Sequence, residues 1–364
     1  MRSVRISIFT IVAILVCVGI VMIYSASAIY AFSTMADSLY YLKRHLIYLA
    51  IGIGLMFFAM SLDTNRLKDL SKPLMILSVL LLVLVLVPHI GKETSGARRW
   101  FSMGPVNFQP SELAKIALLV YIADMISRKK ALVKSFIHGY VPAMLALGGT
   151  VGLILLEPDL GTAVTLSVIT VMMLFISGTR ISYITASVLA SLPVLYVLLF
   201  RVPYRRKRLM IFLNPWSDKR GTGFQIIQSF IALGSGGIFG VGLGMSRQKL
   251  FYLPASHTDF IFSIIGEELG FLGTASVVML FILFTWEGMK IAFKAPGTFE
   301  RLLSFGIVSL ISLEAIINIG VTAGALPTKG LPLPFISYGG SGLIFHLMAV
   351  GLLLNISRSC EAVK

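Results

Sequence analysis

The sequence predicts an all-α polytopic membrane protein with about ten transmembrane helices, both termini cytoplasmic, and one long extracytoplasmic loop between helices seven and eight. Three observations predict it. The 364 residues are 57% hydrophobic, with a mean hydropathy of +0.90 and only 13% charged. Soluble domains carry about 45–50% apolar and about 25% charged residues. Apolar runs of about 20 residues, the length a bilayer requires, recur along the chain and leave no stretch for a separate soluble domain. Lys and Arg fall unevenly between alternate connecting segments, as cytoplasmic loops demand. The chain reads as one membrane domain, 1–364. Its net charge of +15 reflects that loop asymmetry, and no nucleic-acid partner is expected. Cys17 and Cys360 supply neither a disulfide framework nor a thiolate metal cluster.

In chain order, spans are expected near 7–30, 45–62, 73–90, 111–127, 136–156, 160–177, 182–200, 258–284, 301–324 and 337–356. The first is too long for a signal-peptide core and is kept as a span. Arg2 and Arg5 before it place the N-terminus inside. Short inner segments then hold 15 Lys and Arg, with Lys129, Lys130 and Lys364 among them, against 6 in the short outer ones. The 201–257 segment is the long outer loop. Phe224–Gly244 within it is apolar enough to be taken for a span, but its six glycines are too many for a helix interior. It reads as interfacial or re-entrant.

The outer segments carry the chemistry. Arg205, Arg206, Lys207 and Arg208 stand just after a span, on the side where positive charge is disfavoured. Two readings stay open: a contact with anionic lipid headgroups, or a phosphate clamp, because guanidinium forks match phosphate oxygens. Lys249, Arg98 and Arg99 would add to such a clamp. Glu112 and Lys115 are three apart on one span and share a face. Ionisable groups at depth are expensive, so they mark either a structural pair or a functional one. Glu267 and Glu268 follow two turns into the eighth span, and Glu314 and Asn318 are four apart in the ninth.

Asp259 is the sharpest single residue. It lies where the long loop becomes a helix, after Ser256 and Thr258 and before Phe260-Ile261-Phe262. It reads either as an N-cap or as a base that is ionised yet partly desolvated, with His257 beside it as a hydrogen-bond donor. No HExxH or Cys/His spacing suggests zinc, no Gly-Lys-Ser/Thr ending makes a P-loop, and no G-x-S-x-G elbow occurs.

These motifs resemble those of the SEDS family, which includes FtsW, RodA and SpoVE. The marks are Gly96–Trp100, Gln109-Pro110-Ser111-Glu112 with Lys115, Glu157-Pro158-Asp159-Leu160-Gly161, His257–Phe262 with Glu267-Glu268, and Pro332–Gly340. They cover nearly the whole chain, and Leu326–Gly330 with Lys329 is closer to the FtsW and SpoVE form. The resemblance implies an inverting peptidoglycan glycosyltransferase of the bacterial inner membrane, at the division septum. It would polymerise lipid II into β-1,4 glycan and release undecaprenyl pyrophosphate. It implies partnership with the nascent glycan strand, a class B penicillin-binding protein transpeptidase and other divisome or elongasome membrane proteins. It implies a divalent cation, Mg or Mn, as cofactor. The catalytic aspartate would be Asp259, with roles for Trp100, Glu112 and Lys115. Ala255 and Gly342 depart from the family, which often has Glu and Ser there.

The residues agree with that chemistry. Inversion at a sugar linked α to pyrophosphate needs one base for the acceptor 4-OH, and the leaving group needs cations more than an acid. Asp259 would be the base, and Arg205, Arg208 and Lys249 would hold phosphates. A RodA-type elongation polymerase and a lipid II flippase are the alternatives. In the flippase, Glu112 and Lys115 would line a path.

Overall fold

The computed structural model describes residues 1–94, 96–104, 106–129, 132–219, 221 and 223–362. Lys130 and Lys364, counted above on the inner side, lie outside the described residues. All ten expected runs are helices. They are α1 (Arg2–Met35), α2 (Tyr40–Ser61), α4 (Ser71–Leu86), α5 (Pro110–Arg128), α6 (Val141–Leu156), α7 (Leu160–Ile176), α8 (Ile181–Phe200), α11 (Ile261–Lys294), α12 (Thr298–Thr322) and α13 (Ser341–Ala362). The short helices α3 (Thr64–Asp69), α9 (Pro203–Leu213) and α10 (Phe224–Ser235) lie between them. Among the described residues, seven helices are long and apolar enough to cross a membrane, the fifth of the expected spans counting as Phe136–Leu156 with the π-helical turn that precedes α6. The helices α4 and α7 are apolar but shorter, and α5 carries Glu112, Lys115, Asp124 and Arg128. The chain is a multi-pass α-helical membrane protein.

The helix α5 lies at the centre, packed by α4, α7 and α12, while α13 runs along α2 and α11 along both α1 and α12. Small residues permit the close contact of α2 and α13, as membrane helix interfaces favour. A Cβ at Gly351 would stand 2.3 Å from the Met56 carbonyl.

Two features depart from a plain helix bundle. The outer segment between the third and fourth expected spans carries an antiparallel ribbon: β1 (Lys92–Thr94), β2 (Ala97–Met103) and β3 (Val106–Phe108). Its strands are three to seven residues long, too short for a clear period-2 pattern to show in the sequence. The second feature lies in α11, which is broken at Gly270 (φ 67°, ψ −162°). At membrane depth the backbone groups freed by such a break need partners, and the glycine-rich segment after α10 supplies them. Phe271 and Leu272 N–H donate to the carbonyls of Gly237 and Ile238, and Val241 and Gly242 N–H donate to those of Glu267 and Glu268. Phe224–Gly244 is thus a short helix followed by a return strap laid against α11. The glycines make that approach possible, since a Cβ at Gly240 would meet the Glu268 carbonyl at 2.2 Å.

Candidate active site

At the end of the bundle that carries the ribbon lies a cavity of about 520 Å³, lined in part by Tyr48 of α2. The ribbon contributes Lys92, Arg99 and Trp100, the start of α5 contributes Glu112, and the start of α7 contributes Asp159. Thr258-Asp259 and residues 330–340 complete it. Each wall has a local cause. Pro110 sets the first turn of α5. Asp159 caps α7, its carboxylate accepting from Thr162 N (3.1 Å) and Thr162 Oγ1 (2.9 Å). Arg99 ties the ribbon to the α6–α7 turn through the carbonyls of Glu157 (2.6 Å) and Pro158 (2.7 Å). Glu157 is fully buried with neither carboxylate oxygen partnered among the described residues, and burial, with Asp159 beside it, pushes its carboxyl up to about 8.

Asp259 does not cap α11. The N-cap residue is Phe260, and the helix start has no side-chain cap. Among the described residues no donor is hydrogen-bonded to the Asp259 carboxylate. It faces the cavity half-buried, against the bare Cα of Gly330, where a Cβ would stand 3.1 Å from Oδ2. Loss of water pushes its carboxyl up to about 6, and the positive charge of Arg208 holds it from rising further.

Arg208 also meets the 328–330 segment. It lines a second cleft of about 390 Å³ with Tyr204, Lys207 and Thr328. Its guanidinium lies 4.4 Å from the centre of the Tyr204 ring and donates to the Thr328 carbonyl at 3.2 Å. The carboxylate and the cation cleft therefore flank one stretch of chain.

Glu112 and Lys115 pair at 2.8 Å, as their spacing suggested, but the pair continues. Lys115 Nζ is also 2.5 Å from Glu314 Oε1, and Glu314 Oε2 is 2.6 Å from His346 Nε2. A buried row thus runs from the cavity wall into α12 and α13.

Other sequence candidates lie elsewhere. Arg98 pairs with Glu93 at 3.3 Å, and its neighbour Arg99 takes the cavity position. Arg205 donates to the Leu198 carbonyl at the end of α8 (3.2 Å). Lys249 is buried against Glu268 (2.8 Å) and Ser25 (3.0 Å), so its ammonium is engaged in a buried pair away from the cavity lining. Glu267 accepts from Ser246 Oγ and from the backbone N–H of Arg247 and Gln248, which latches that turn to α11. His257 packs 4.6 Å from Tyr41 between ring centres, and burial lowers it to about 4, so it is neutral. Burial lowers the Lys329 ammonium, and Asp159 partly restores it. Sequence reading missed Lys92, Asp159 and Tyr338 as cavity residues. The density of charge and glycine in their segments was the available signal.

Among the described residues no group of three or more His, Cys, Asp or Glu is placed to hold a metal ion. The divalent cation implied by the resemblance has no preassembled protein donor set there, and the chemistry is assigned to the chain's own residues.

The family model described as cell cycle protein, for FtsW, RodA and SpoVE, matches residues 5–362. The chain belongs to this family. It is 47% identical over 343 residues to the probable peptidoglycan glycosyltransferase FtsW of Geobacter metallireducens, covering 94% of this chain and 92% of that one. It is 44% identical over 345 residues to the stage V sporulation protein E of Bacillus subtilis, covering 95% and 94%. Among solved structures, it superposes on a chain of a peptidoglycan synthase complex that coordinates polymerization and crosslinking, with TM-score 0.79, 33% identity and 97% of each chain covered. It also superposes on the rod shape determining protein RodA of Thermus thermophilus, with TM-score 0.72, 31% identity, and 97% and 96% covered.

Proposed function

We propose that this chain is a peptidoglycan glycosyltransferase that polymerises lipid II by inversion, with Asp259 as its base. Membership of the family and relatives named as glycosyltransferases support the activity. The observation that carries the assignment is the Asp259 carboxylate: cavity-facing, half-buried, unpartnered among the described residues and raised to about 6. At neutral pH it is ionised yet basic enough to take a proton. An acceptor 4-OH in the cavity loses its proton to Asp259 as its oxygen attacks C1 of the donor sugar. The C1–O bond to pyrophosphate breaks on the opposite face. Arg208, whose charge reaches Asp259, receives the developing negative charge of the phosphate. Arg99, Lys92 and Trp100 would hold the sugars and the remaining phosphate contacts.

The cavity end faces outward and both termini lie in the cytoplasm, as the Lys/Arg asymmetry supports. Identity to FtsW and SpoVE proteins supports work on the septal wall, beside a crosslinking transpeptidase of class B. The test is purified protein in detergent with lipid II and an acyl-blocked transpeptidase partner. Glycan polymer is expected. Transbilayer movement of labelled lipid II in vesicles with no polymer would establish the flippase instead.

A further inference from the structure

Three consecutive carbonyl groups at the site are held from one side. The His257 carbonyl accepts from Tyr338 N at 3.0 Å. The Thr258 carbonyl accepts from Ser337 Oγ at 2.6 Å. The Asp259 carbonyl accepts from Asn318 Nδ2 at 2.9 Å. The two side-chain donors are themselves anchored. Ser337 Oγ also accepts from Leu333 N at 2.8 Å, and Asn318 Nδ2 also donates to the Leu331 carbonyl at 2.7 Å. Both hydrogens of the Asn318 amide are thus spent on the two walls that enclose the Asp259 carboxylate, residues 257–259 and 330–338.

Asn318 is 2% exposed, and its Oδ1 has no partner among the described residues. A buried unsatisfied oxygen is unfavourable, so an apolar residue of equal volume would serve packing better. The amide has a use here only as a double donor. The row also explains a contrast within one residue: the Asp259 backbone is fixed while its carboxylate is left free. A base that must meet a substrate hydroxyl within about 1 Å of its productive place gains from such fixation.

We propose that Asn318 and Ser337 are positioning residues, which clasp the backbone of Thr258-Asp259 to the 330–338 wall and so aim the Asp259 carboxylate. The inference rests on Asp259 being the base. Neither residue touches the cavity, so both act through the backbone.

Asn318→Leu keeps the branched shape of the side chain and removes both donors. Ser337→Ala removes the second rung, and Ser337→Thr returns a hydroxyl. Purified variants are assayed for lipid II polymerisation, with folded protein quantified by size exclusion and thermal melting. The expected result is kcat reduced about 10- to 100-fold in Asn318→Leu and less in Ser337→Ala, with KM for lipid II within about twofold of the parent in both, and activity restored in Ser337→Thr. A residue that serves packing alone would lower the yield of folded protein and leave the kcat of the folded fraction unchanged, and that result overturns the proposal. If Asn318→Leu does not fold, the Ser337 pair decides: equal kcat in Ser337→Ala and Ser337→Thr overturns the clasp. Asp259→Asn is measured alongside. Its inactivity establishes the base independently, so that the Asn318 and Ser337 variants then report on the clasp alone.

Discussion

Asp259 and the Glu267-Glu268 pair stand eight residues apart at the head of the same helix, and the protein treats them in opposite ways. Glu267 receives three hydrogen bonds, and Glu268 receives Lys249 and Ser25. Asp259 receives none among the described residues, although its own carbonyl is held. Full satisfaction makes a buried carboxylate a fastener. It joins the 246–249 turn and α1 to α11 and has no capacity left for a ligand. An unpartnered carboxylate costs stability and is retained where chemistry uses its lone pairs. The same distinction separates Lys249 from Arg208. One cation is locked inside the fold, and the other lies in an open cleft.

The largest effect on stability should come from breaking a fastener. Lys249→Met strands the Glu268 charge, and removing one partner of a buried pair costs about 3–5 kcal/mol. A melting curve should show that loss, and Lys249→Met/Glu268→Gln should recover most of it. A Lys249→Met protein as stable as the parent but weaker in lipid II binding would return Lys249 to the phosphate set.

A smaller effect comes from pH. Asp259 must be ionised to act, so glycan synthesis should fall about tenfold per unit as pH drops below about 6. The stability sign is opposite to that of a salt-bridged acid. Its folded value lies above the usual 3.8, so ionisation works against the fold. That destabilisation enters as pH rises from about 4 to about 6 and is complete above. Melting of Asp259→Asn should lack this component. A pH–stability curve identical to the parent's between those limits would mean that the carboxylate is not desolvated.

The smallest effect concerns the cavity wall. A Cβ at Gly342 would lie 3.5 Å from Glu112 Oε2, so Gly342→Ser puts a hydroxyl within reach of that carboxylate. The gain should be about 0.5–1.5 kcal/mol, read as a modest rise in melting temperature with activity within about threefold. A large loss of activity would show that Glu112 must present that oxygen to substrate.

The bundle was legible because spans announce themselves by local hydropathy, and each of the ten became a helix. Asp259 was legible because helix-start residues surround it, although the structure shows that it does not cap. The Glu112–Lys115 pair followed from helical spacing. Its continuation did not, since Glu314 is 199 residues away and no local pattern links the two. The same holds for Lys249 with Glu268, where two charges with no sequence register became one buried pair. Arg98 and Arg99 could not be told apart until the ribbon set which of them faces the cavity.

Whether Asp259 is the base is decided by the polymerisation rate of purified Asp259→Asn with lipid II at pH 7.5. The substitution keeps size, leaves the carbonyl clasp in place and removes an unfavourably placed charge. The expected result is a rate about 10²–10⁴-fold below the parent, with a melting temperature equal or higher and lipid II still bound. Polymerisation at more than about a tenth of the parent rate, well short of that expected loss, would contradict the assignment and send the search for the base to another residue of the same cavity.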